Sequence, residues 1–278
     1  MDKQPKSEQL SINTATVRQQ WKLDQIIDGC ARHEIRGISP WRDQVQELGL
    51  KETARRIRDN GLTVTGYCRG GMFTGQDEAA RKKADDDNRR AVDEALEVGS
   101  SCLVLVVGGL PGDSKDLQGA RNQVRDGLAN LLDYARRMSM PLAIEPLHPM
   151  YAADRACVNT MRQANDLCDE LGNDGLGLAV DLYHTWWDPE FFPQLERAGK
   201  KRILAFHICD WLVPTRDLLL DRGMMGDGVI DIRAARIAVE KLGYEGLHEV
   251  EIFSQHDWWQ RDPDDVLMTC KQRHLDCC

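Results

Sequence analysis

Short apolar runs alternate along the chain with longer stretches in which apolar and polar residues are mixed. Runs such as residues 102–107 and 178–180 are continuous and rich in branched side chains, as expected of strands buried on both faces. The stretches between them repeat apolar residues three and four positions apart, which is the spacing of a helix with one buried face. The pattern therefore predicts strands and helices in regular alternation.

Eight strands are predicted, each followed by a helix. They are residues 10–17, 35–41, 62–67, 102–107, 141–149, 178–181, 203–211 and 247–254. This alternation, with no linker or low-complexity tract, favours one closed parallel barrel. The rival, an open doubly wound sheet, would more often carry a glycine-rich nucleotide turn after its first strand, and SINTATVRQQW has none. We expect an α/β fold, a single-domain (β/α)8 TIM barrel of eight parallel strands over residues 1–278, with residues 1–9 as a loose N-terminal segment.

Composition narrows the classes of partner. A length of 278 residues is common for an α/β barrel, so one large core is expected. The chain has 36 Lys and Arg against 45 Asp and Glu, which gives a net charge of −9. A negative protein is not expected to bind the anionic backbone of nucleic acid or an anionic membrane. The longest apolar run is far too short to span a bilayer. Nine cysteines without a zinc-type pair suggest reduced thiols, so we expect a cytoplasmic protein.

Four successive predicted strands end in residues that can bind a metal. Glu145, Asp181, His207 and Glu251 stand at comparable depths at the strand ends, where barrel active sites form. One such acid alone is most often a helix cap or a solvated loop residue, but four in succession are hard to explain in that way. Three carboxylates and one imidazole suit Mn²⁺, Mg²⁺, Co²⁺ or Zn²⁺. Without a cation the three acids would repel one another strongly.

Aromatic and basic residues surround the same strand ends. Aromatic faces pack well on the C–H faces of sugars, although several of these indoles are as well explained as seals of the barrel mouth. Arg69 and His148 are candidates for fixing hydroxyl, carboxylate or phosphate groups, while a structural salt bridge is an equal alternative for Arg69. The tryptophans at or just past strand ends are Trp41, Trp186, Trp187, Trp211, Trp258 and Trp259.

Five short motifs carry a resemblance to a known family. They are IEP at 144–146, DLYH at 181–184, FH at 206–207, GDGVID at 226–231 and VEIF at 250–253. Through them the chain resembles the sugar phosphate isomerase/epimerase group of xylose isomerase-like TIM barrels, over about residues 10–276. That group includes ketose 3-epimerases, hydroxypyruvate isomerase and inosose dehydratase. The motifs are specific for the superfamily and weak for the substrate.

The resemblance implies a set of roles for residues of this chain. One divalent metal would be held by Glu145, Asp181, His207 and Glu251, and the two glutamates would also move protons, one from each face of the sugar carbon. His184 would match a substrate-contacting histidine. Arg216 would match an arginine that anchors substrate oxygens in the family. Independently of the resemblance, substrate contacts are expected from Arg69, His148, Trp41 and Trp186. Homo-oligomers are compatible with the family.

Elementary chemistry agrees with this expectation. Removing a proton next to a carbonyl is slow because the enediolate is too basic, and a metal on the neighbouring oxygens would stabilise its charge. A carboxylate then needs to sit within about 3 Å of the carbon-bound hydrogen. We expect a metal-dependent isomerase or epimerase of carbohydrate metabolism, with manganese among the candidate metals, acting on a sugar, keto-sugar or cyclitol. Asp227, in a glycine-rich loop, favours an unphosphorylated substrate because it would repel a phosphate.

Three other functions remain open. A lyase or dehydratase acting on a keto-sugar or an inosose would share the proton abstraction and differ only in the fate of the enediolate. A non-catalytic sugar-binding subunit would not need an intact set of ligands. An AP-endonuclease-like DNA repair enzyme would need further histidines after strands three and four, where the chain has Tyr67, Cys68 and Arg69, then Gly108 and Gly109.

Overall fold

The computed structural model describes residues 4–172 and 174–278. Its strands, in chain order, are β1 (Leu10–Asn13), β2 (Gly37–Ser39), β3 (Thr63–Val64), β4 (Tyr67–Gly71), β5 (Leu103–Val106), β6 (Leu142–Ile144), β7 (Leu176–Asp181), β8 (Ile203–Ile208), β9 (Asp210–Trp211), β10 (Arg222–Gly223) and β11 (His248–Val250). Nine of these form one parallel sheet in the order β3-β2-β1-β11-β8-β7-β6-β5-β4. Strands β9 and β10 form a separate antiparallel hairpin.

The parallel sheet curves into a nearly closed barrel. Its two end strands, β3 and β4, are pieces of one stretch of chain interrupted at residues 65 and 66. Val64 bridges to Ser100 and Cys68 bridges to Trp41, so each piece pairs across the seam. The expected closed parallel barrel is confirmed, and the ninth strand arises because the third predicted strand is divided in two.

Helices lie between the strands. They are α1 (Leu23–Arg32), α2 (Arg42–Leu48), α3 (Leu50–Asp59), α4 (Glu78–Glu97), α5 (Leu117–Met138), α6 (Met161–Leu171), α7 (Leu182–Thr185), α8 (Phe191–Arg202), α9 (Ile232–Lys241) and α10 (Pro263–Cys277). In α5 the apolar stripe is buried as its spacing predicts, from Val124 to Ala135. The short helix α2 was not expected, and it buries Gln44 and Val45. None of the helices in the described part of the chain is both long and apolar enough to cross a membrane.

A side-chain cap ends the first strand earlier than its sequence pattern predicts. The side chain of Asn13 accepts a hydrogen bond from the backbone N–H of Ala15, and residues Thr14–Val17 form a 3-10 helix where a strand was expected. Asp181 caps α7 in the same way by accepting from the N–H of Tyr183. In the segment expected to be loose, residues 1–3 lie outside the described part and Ser7–Gln9 form a 3-10 helix.

The inside of the barrel is filled by small side chains. Its central cluster consists of Cys68, Cys102, Val104, Ala143, Ala179 and Ala205. The larger apolar residues instead pack in the outer layer between the sheet and the helices. All nine cysteines are free thiols, in line with the expectation from the sequence. Small side chains within the barrel leave room for polar groups towards the carboxyl ends of the strands.

Candidate active site

Four acidic or imidazole side chains converge at the carboxyl end of the barrel. Glu145 follows β6, Asp181 ends β7, His207 lies in β8 and Glu251 follows β11. One ligand atom from each lies within 4.8 Å of those of the others, and all four residues are buried. They meet because β7 and β11 pair with β8 on either side, which sets Asp181 directly beside His207 in register. The structure thus brings together the four predicted ligands, and their role in binding a metal stays a prediction.

Three buried polar atoms of this cluster lack a hydrogen-bond partner among the described residues: Oε1 of Glu145 and both ring nitrogens of His207. Oε1 of Glu145 and Nδ1 of His207 lie 3.1 Å apart without hydrogen-bond alignment. Oε2 of Glu251 lies 3.9 Å from the same Nδ1. Buried polar atoms without partners are costly, and a bound ion is one way in which proteins satisfy them. Oxygen and nitrogen donors in this arrangement fit a divalent cation such as Mn²⁺ or Zn²⁺.

The charges of the cluster are unbalanced as well. Burial raises the pKa of Glu251 to about 8; Arg222 opposes this shift and Glu145 adds to it. Burial alone would lower the pKa of His207, but the carboxylates of Glu249 and Glu145 raise it well above its usual value. Crowded carboxylates retain protons when no further cation compensates them. A divalent ion at this position would relieve that crowding.

Arg222 lies inside the site, and the sequence reasoning missed it. Its Nη1 donates hydrogen bonds to Oδ2 of Asp181 at 3.1 Å and to Oε2 of Glu251 at 3.0 Å. The guanidinium also lies over the ring of Tyr183, 4.4 Å from its centroid. Hairpin pairing places it there, because Arg222 in β10 is paired with Trp211 in β9, just beyond β8. Two charged residues, Asp221 and Arg222, between apolar LLL and MM were the available signal of a buried functional arginine.

His184 is buried next to this arginine. Its Nδ1 accepts a hydrogen bond from the backbone N–H of His148 at 3.2 Å, and its Nε2 lies 3.2 Å from Nη2 of Arg222. Burial lowers the pKa of His184 to about 3, so the ring is neutral at ordinary pH. His184 therefore presents a neutral imidazole at the edge of the cluster.

A second layer of polar residues lies beneath the cluster. Oε1 of Glu249 is 3.4 Å from Nε2 of His207, on the side of the ring opposite the cluster, although this contact is not aligned as a hydrogen bond. Glu249 accepts hydrogen bonds from Nδ2 of Asn13 at 2.8 Å and from Oγ1 of Thr65 at 2.7 Å. Carboxylates in this position orient ligating histidines in metal sites. The sequence showed Glu249 beside Glu251 but gave it no role.

A cavity of about 600 Å³ opens above the cluster. Of the residues predicted from the sequence, its wall contains Glu145, Glu251, His184, Arg69, Trp41 and Trp259. Asp181 and His207 are fully buried behind that wall. The wall also contains residues that the sequence did not single out, among them Tyr151, Arg155, Leu219, Leu220, Arg222 and Phe253. The volume lies within the range of small-molecule sites.

The structure does not bring three of the predicted substrate-binding residues into the wall of this cavity. The ring of His148 stacks on Trp211, with centroids 5.2 Å apart, and reaches the site only through its backbone N–H. Trp186 packs against the same Trp211. Arg216 is half exposed and pairs with Asp221. The arginine that contacts the cluster of candidate ligands is Arg222, whereas Arg216 lies outside the cavity wall.

Asp227 lies away from the cavity wall. Its carboxylate pairs with Nη2 of Arg273 at 3.1 Å and accepts a hydrogen bond from the N–H of Met224. The GDGVID loop turns the chain towards α9, whose N-cap is Asp231. The argument that Asp227 would repel a phosphate group is therefore wrong, because this carboxylate does not face the cavity.

Comparisons with known proteins agree with the geometry. Residues 27–269 match the family described as xylose isomerase-like TIM barrel. Inosose isomerase of Bacillus velezensis is 24% identical over 276 residues, which cover 95% of this chain and 94% of that protein. L-ribulose-5-phosphate 3-epimerase UlaE of Shigella flexneri is 26% identical over 221 residues, which cover 76% of this chain and 71% of that protein.

Solved structures share the fold over nearly the whole chain. Protein SMc04130 from Sinorhizobium meliloti is 57% identical with a TM-score of 0.96, covering 98% of this chain and 99% of that one. The IOLI protein, solved with a binding zinc atom, is 20% identical with a TM-score of 0.82, covering 97% of each chain. The family match, extending over most of the barrel, is consistent with the motifs at the strand ends. The chain belongs to the xylose isomerase-like TIM barrel family.

Proposed function

We propose that the protein is a divalent-metal-dependent isomerase or epimerase that acts on a keto-sugar or a ketone of a cyclitol. The observation that carries the proposal is the convergence of Glu145, Asp181, His207 and Glu251 within 4.8 Å at the base of a cavity. Relatives named as an inosose isomerase and a ribulose-phosphate epimerase support the general class, a sugar or cyclitol isomerase or epimerase. The IOLI protein, which shares the fold and was solved with a binding zinc atom, supports a divalent metal in this protein.

A bound divalent cation would supply electrostatic stabilisation of the enediolate that forms when a proton leaves the carbon beside the carbonyl. Glu145 and Glu251 are the carboxylates of the cluster that face the cavity. They follow β6 and β11, which stand on opposite sides of the pair β7 and β8 in the sheet. We therefore assign them as the acid/base pair, one removing a proton from the substrate carbon and the other returning one.

Neighbouring side chains would hold the substrate and the two glutamates in place. Arg222 fixes the carboxylate of Glu251 by its hydrogen bond and contributes to the cavity wall. His184 stands beside it as a neutral ring in the cavity wall. The indole N–H of Trp41 donates to Oδ1 of Asn13, which fixes the aromatic ring in the cavity wall. These contacts pre-organise the groups that a polyol substrate would meet.

One loop shields the site from water. The hydroxyls of Tyr151 and Tyr183 both donate hydrogen bonds to the carbonyl oxygen of Leu218, at 2.8 and 3.0 Å. The next two residues, Leu219 and Leu220, then contribute apolar surface to the cavity wall. Exclusion of water strengthens the electrostatic interactions inside the site.

The test begins by measuring the metal content of the purified protein by inductively coupled plasma mass spectrometry. The protein is then stripped with a chelator, reloaded separately with Mn²⁺, Co²⁺, Zn²⁺ or Mg²⁺, and incubated with ketoses and keto-cyclitols in D₂O. The expected result is metal-dependent conversion to an isomer of unchanged composition, with deuterium incorporated next to the carbonyl. Equal turnover by the stripped protein would overturn the proposal, and a product lighter by one water would assign the site to a dehydratase instead.

A further inference from the structure

Two arginines share one side of the cavity. Arg69 lies in β4, and Arg155 lies in the segment that follows the 3-10 helix Pro149–Tyr151. Both belong to the cavity wall. Strand β5 separates β4 from β6 in the sheet, and the N–H of Gly108, just beyond β5, donates to the carbonyl oxygen of Arg155 at 2.9 Å. The backbone therefore holds Arg155 on the same side of the mouth as Arg69.

Arg69 is not neutralised within the described residues. Its guanidinium forms no ion pair or hydrogen bond with residues 4–172 or 174–278, whereas the nearby Arg42 is paired with both Asp87 and Glu94. Burial lowers the pKa of Arg69 below its ordinary value, and the positive charge of Arg155 lowers it further by a smaller amount. A partly buried arginine held without an acidic partner is an unusual arrangement in a folded protein.

The charge on Arg155 is also only weakly balanced. The carboxylate nearest to it belongs to its chain neighbour Asp154, with 3.6 Å between Nε and Oδ2, and that side chain is 65% exposed. The acids whose charges reach Arg69 are Glu145, which belongs to the candidate metal-ligand cluster, and more weakly Asp43. Four arginines line the cavity, and Arg18 and Arg222 are paired with carboxylates. Among the described residues, Arg69 has no ion pair and Arg155 has only the exposed Asp154.

We propose that Arg69 and Arg155 form an anion subsite and that the substrate carries a negatively charged group, a phosphate ester or a carboxylate, at the end remote from the reacting carbons. The inference rests on the proposed function, because it takes the metal cluster as the reacting end of the cavity. Guanidinium groups bind phosphate and carboxylate oxygens through paired, charge-assisted hydrogen bonds. An anion here would supply the partner that Arg69 lacks. A cavity of about 600 Å³ has room for a monosaccharide with one such group.

Binding to this subsite is measurable without turnover. Inorganic phosphate and gluconate, a sugar acid without a ketone, are titrated by calorimetry into the metal-loaded protein at low and at raised salt. We expect Arg69→Gln and Arg155→Gln to raise the Kd of the preferred probe by about tenfold or more, since each removes a charge-assisted contact. Arg69→Lys, which keeps the charge, is expected to recover part of the binding. The preference between the two probes distinguishes a phosphate from a carboxylate subsite.

Arg125→Gln is the matched control. Its side chain is 39% exposed, close to the 40% of Arg155, but it pairs with Asp126 outside the cavity wall. Its Kd values should equal those of the unchanged protein, and thermal melting of every variant shows whether the fold is retained. Equal binding by folded Arg69→Gln and the unchanged protein overturns the subsite, as does the absence of binding by either probe.

A turnover panel separates this inference from the proposed function. A ketopentose, its terminal phosphate ester and the corresponding keto-acid are compared by kcat/KM. Preference for an anionic substrate that falls in Arg69→Gln supports the subsite. If neutral ketoses are converted in a metal-dependent way and the anionic forms have no advantage, the proposed function is supported and the anion subsite is refuted. If phosphate or gluconate binds in a way that depends on Arg69 but no ketone is converted with any metal, the anion subsite is supported and the proposed function is refuted.

Discussion

Nη1 of Arg222 lies 3.0 Å from Oε2 of Glu251, deep in the same cluster that gathers the candidate metal ligands. The same nitrogen reaches Asp181 at 3.1 Å, so one buried guanidinium serves two of the carboxylates. A buried charge network of this kind contributes more to the fixed geometry of the site than to net stability. Its loss would leave two uncompensated carboxylates inside the protein.

We therefore predict that Arg222→Met destabilises the metal-free protein by about 3–5 kcal/mol, because removing the guanidinium leaves the buried carboxylates of Asp181 and Glu251 without a counter-charge. Urea unfolding of the stripped variant measures this change. Added divalent metal should recover part of the loss, since a cation compensates the same carboxylates. The surface variant Arg125→Met is expected to stay within about 0.5 kcal/mol of the unchanged protein. Equal stability of Arg222→Met and the unchanged protein would contradict the role assigned to Arg222.

The two cavity-facing glutamates give a prediction about catalysis. Glu145→Gln and Glu251→Gln keep an oxygen that can contact the metal but cannot exchange a proton. Each should lower kcat by about 10²–10⁴-fold while metal remains bound, as expected for the loss of a general acid or base. Steady-state kinetics and metal analysis of the same preparations measure both quantities. Glu196→Gln, at an exposed position on α8, is the control. Turnover within a factor of about two of the unchanged protein would exclude the acid/base assignment.

The buried carboxylate beneath His207 gives a prediction about metal affinity. Glu249→Gln should weaken binding roughly 10–100-fold, the usual effect of removing a partner that orients a ligating histidine. Competition with a chromogenic chelator measures the affinity, and kcat at saturating metal should change far less. Thr65→Val removes only one hydrogen bond to Glu249 and should have a smaller effect in the same direction. An unchanged affinity in Glu249→Gln would show that Glu249 does not position His207.

A histidine pair outside the site gives a prediction about pH. Nδ1 of His248 lies 2.9 Å from Nε2 of His274, and burial lowers their pKa values to about 3 and about 4. Glu240, 3.5 Å from His248, does not outweigh burial, and the charge of Arg236 adds to the lowering. Between about pH 6.5 and pH 4 the unfolded chain therefore takes up protons that the folded protein does not.

The free energy of unfolding should accordingly fall as the pH falls through that window, by about 1.4 kcal/mol per pH unit for each of the two histidines. Urea midpoints at several pH values measure the slope. The double variant His248→Gln and His274→Gln should show a shallower dependence, while His256→Gln, at an exposed position, should keep the full slope. Identical slopes for the double variant and the unchanged protein would refute the assignment.

Much of the barrel could be predicted from periodicity, because a strand covered by helices on both faces must be a continuous apolar run. The four candidate ligands could be predicted for a related reason. Each stands at or just beyond such a run, and parallel strands deliver their carboxyl ends to one edge of the barrel. Strand lengths were less predictable, since the side chain of Asn13 turns the backbone into a 3-10 helix before the predicted first strand ends.

Arg222 shows what local sequence could not reveal. It lies in a two-residue strand within a long loop, and only the antiparallel pairing of β10 with β9 returns it to the site. Such a pairing depends on contacts between distant residues and leaves no periodic signal. Arg216 is closer to His207 in the chain and was the natural choice, yet it pairs with Asp221 near the surface. Distance along the chain was a poor guide within an irregular loop.

The Glu249 network also bears on the order in which the protein matures. Asn13 comes from the first strand, Thr65 lies at the seam of the barrel, and Glu249 belongs to the strand that docks against β1. A nascent chain lacking that last strand has neither Glu251 nor the counter-charge behind His207. In the proposed metal site, the complete set of four ligands therefore forms only after the ring of strands has joined, so full-affinity metal binding would follow closure of the barrel rather than nucleate it.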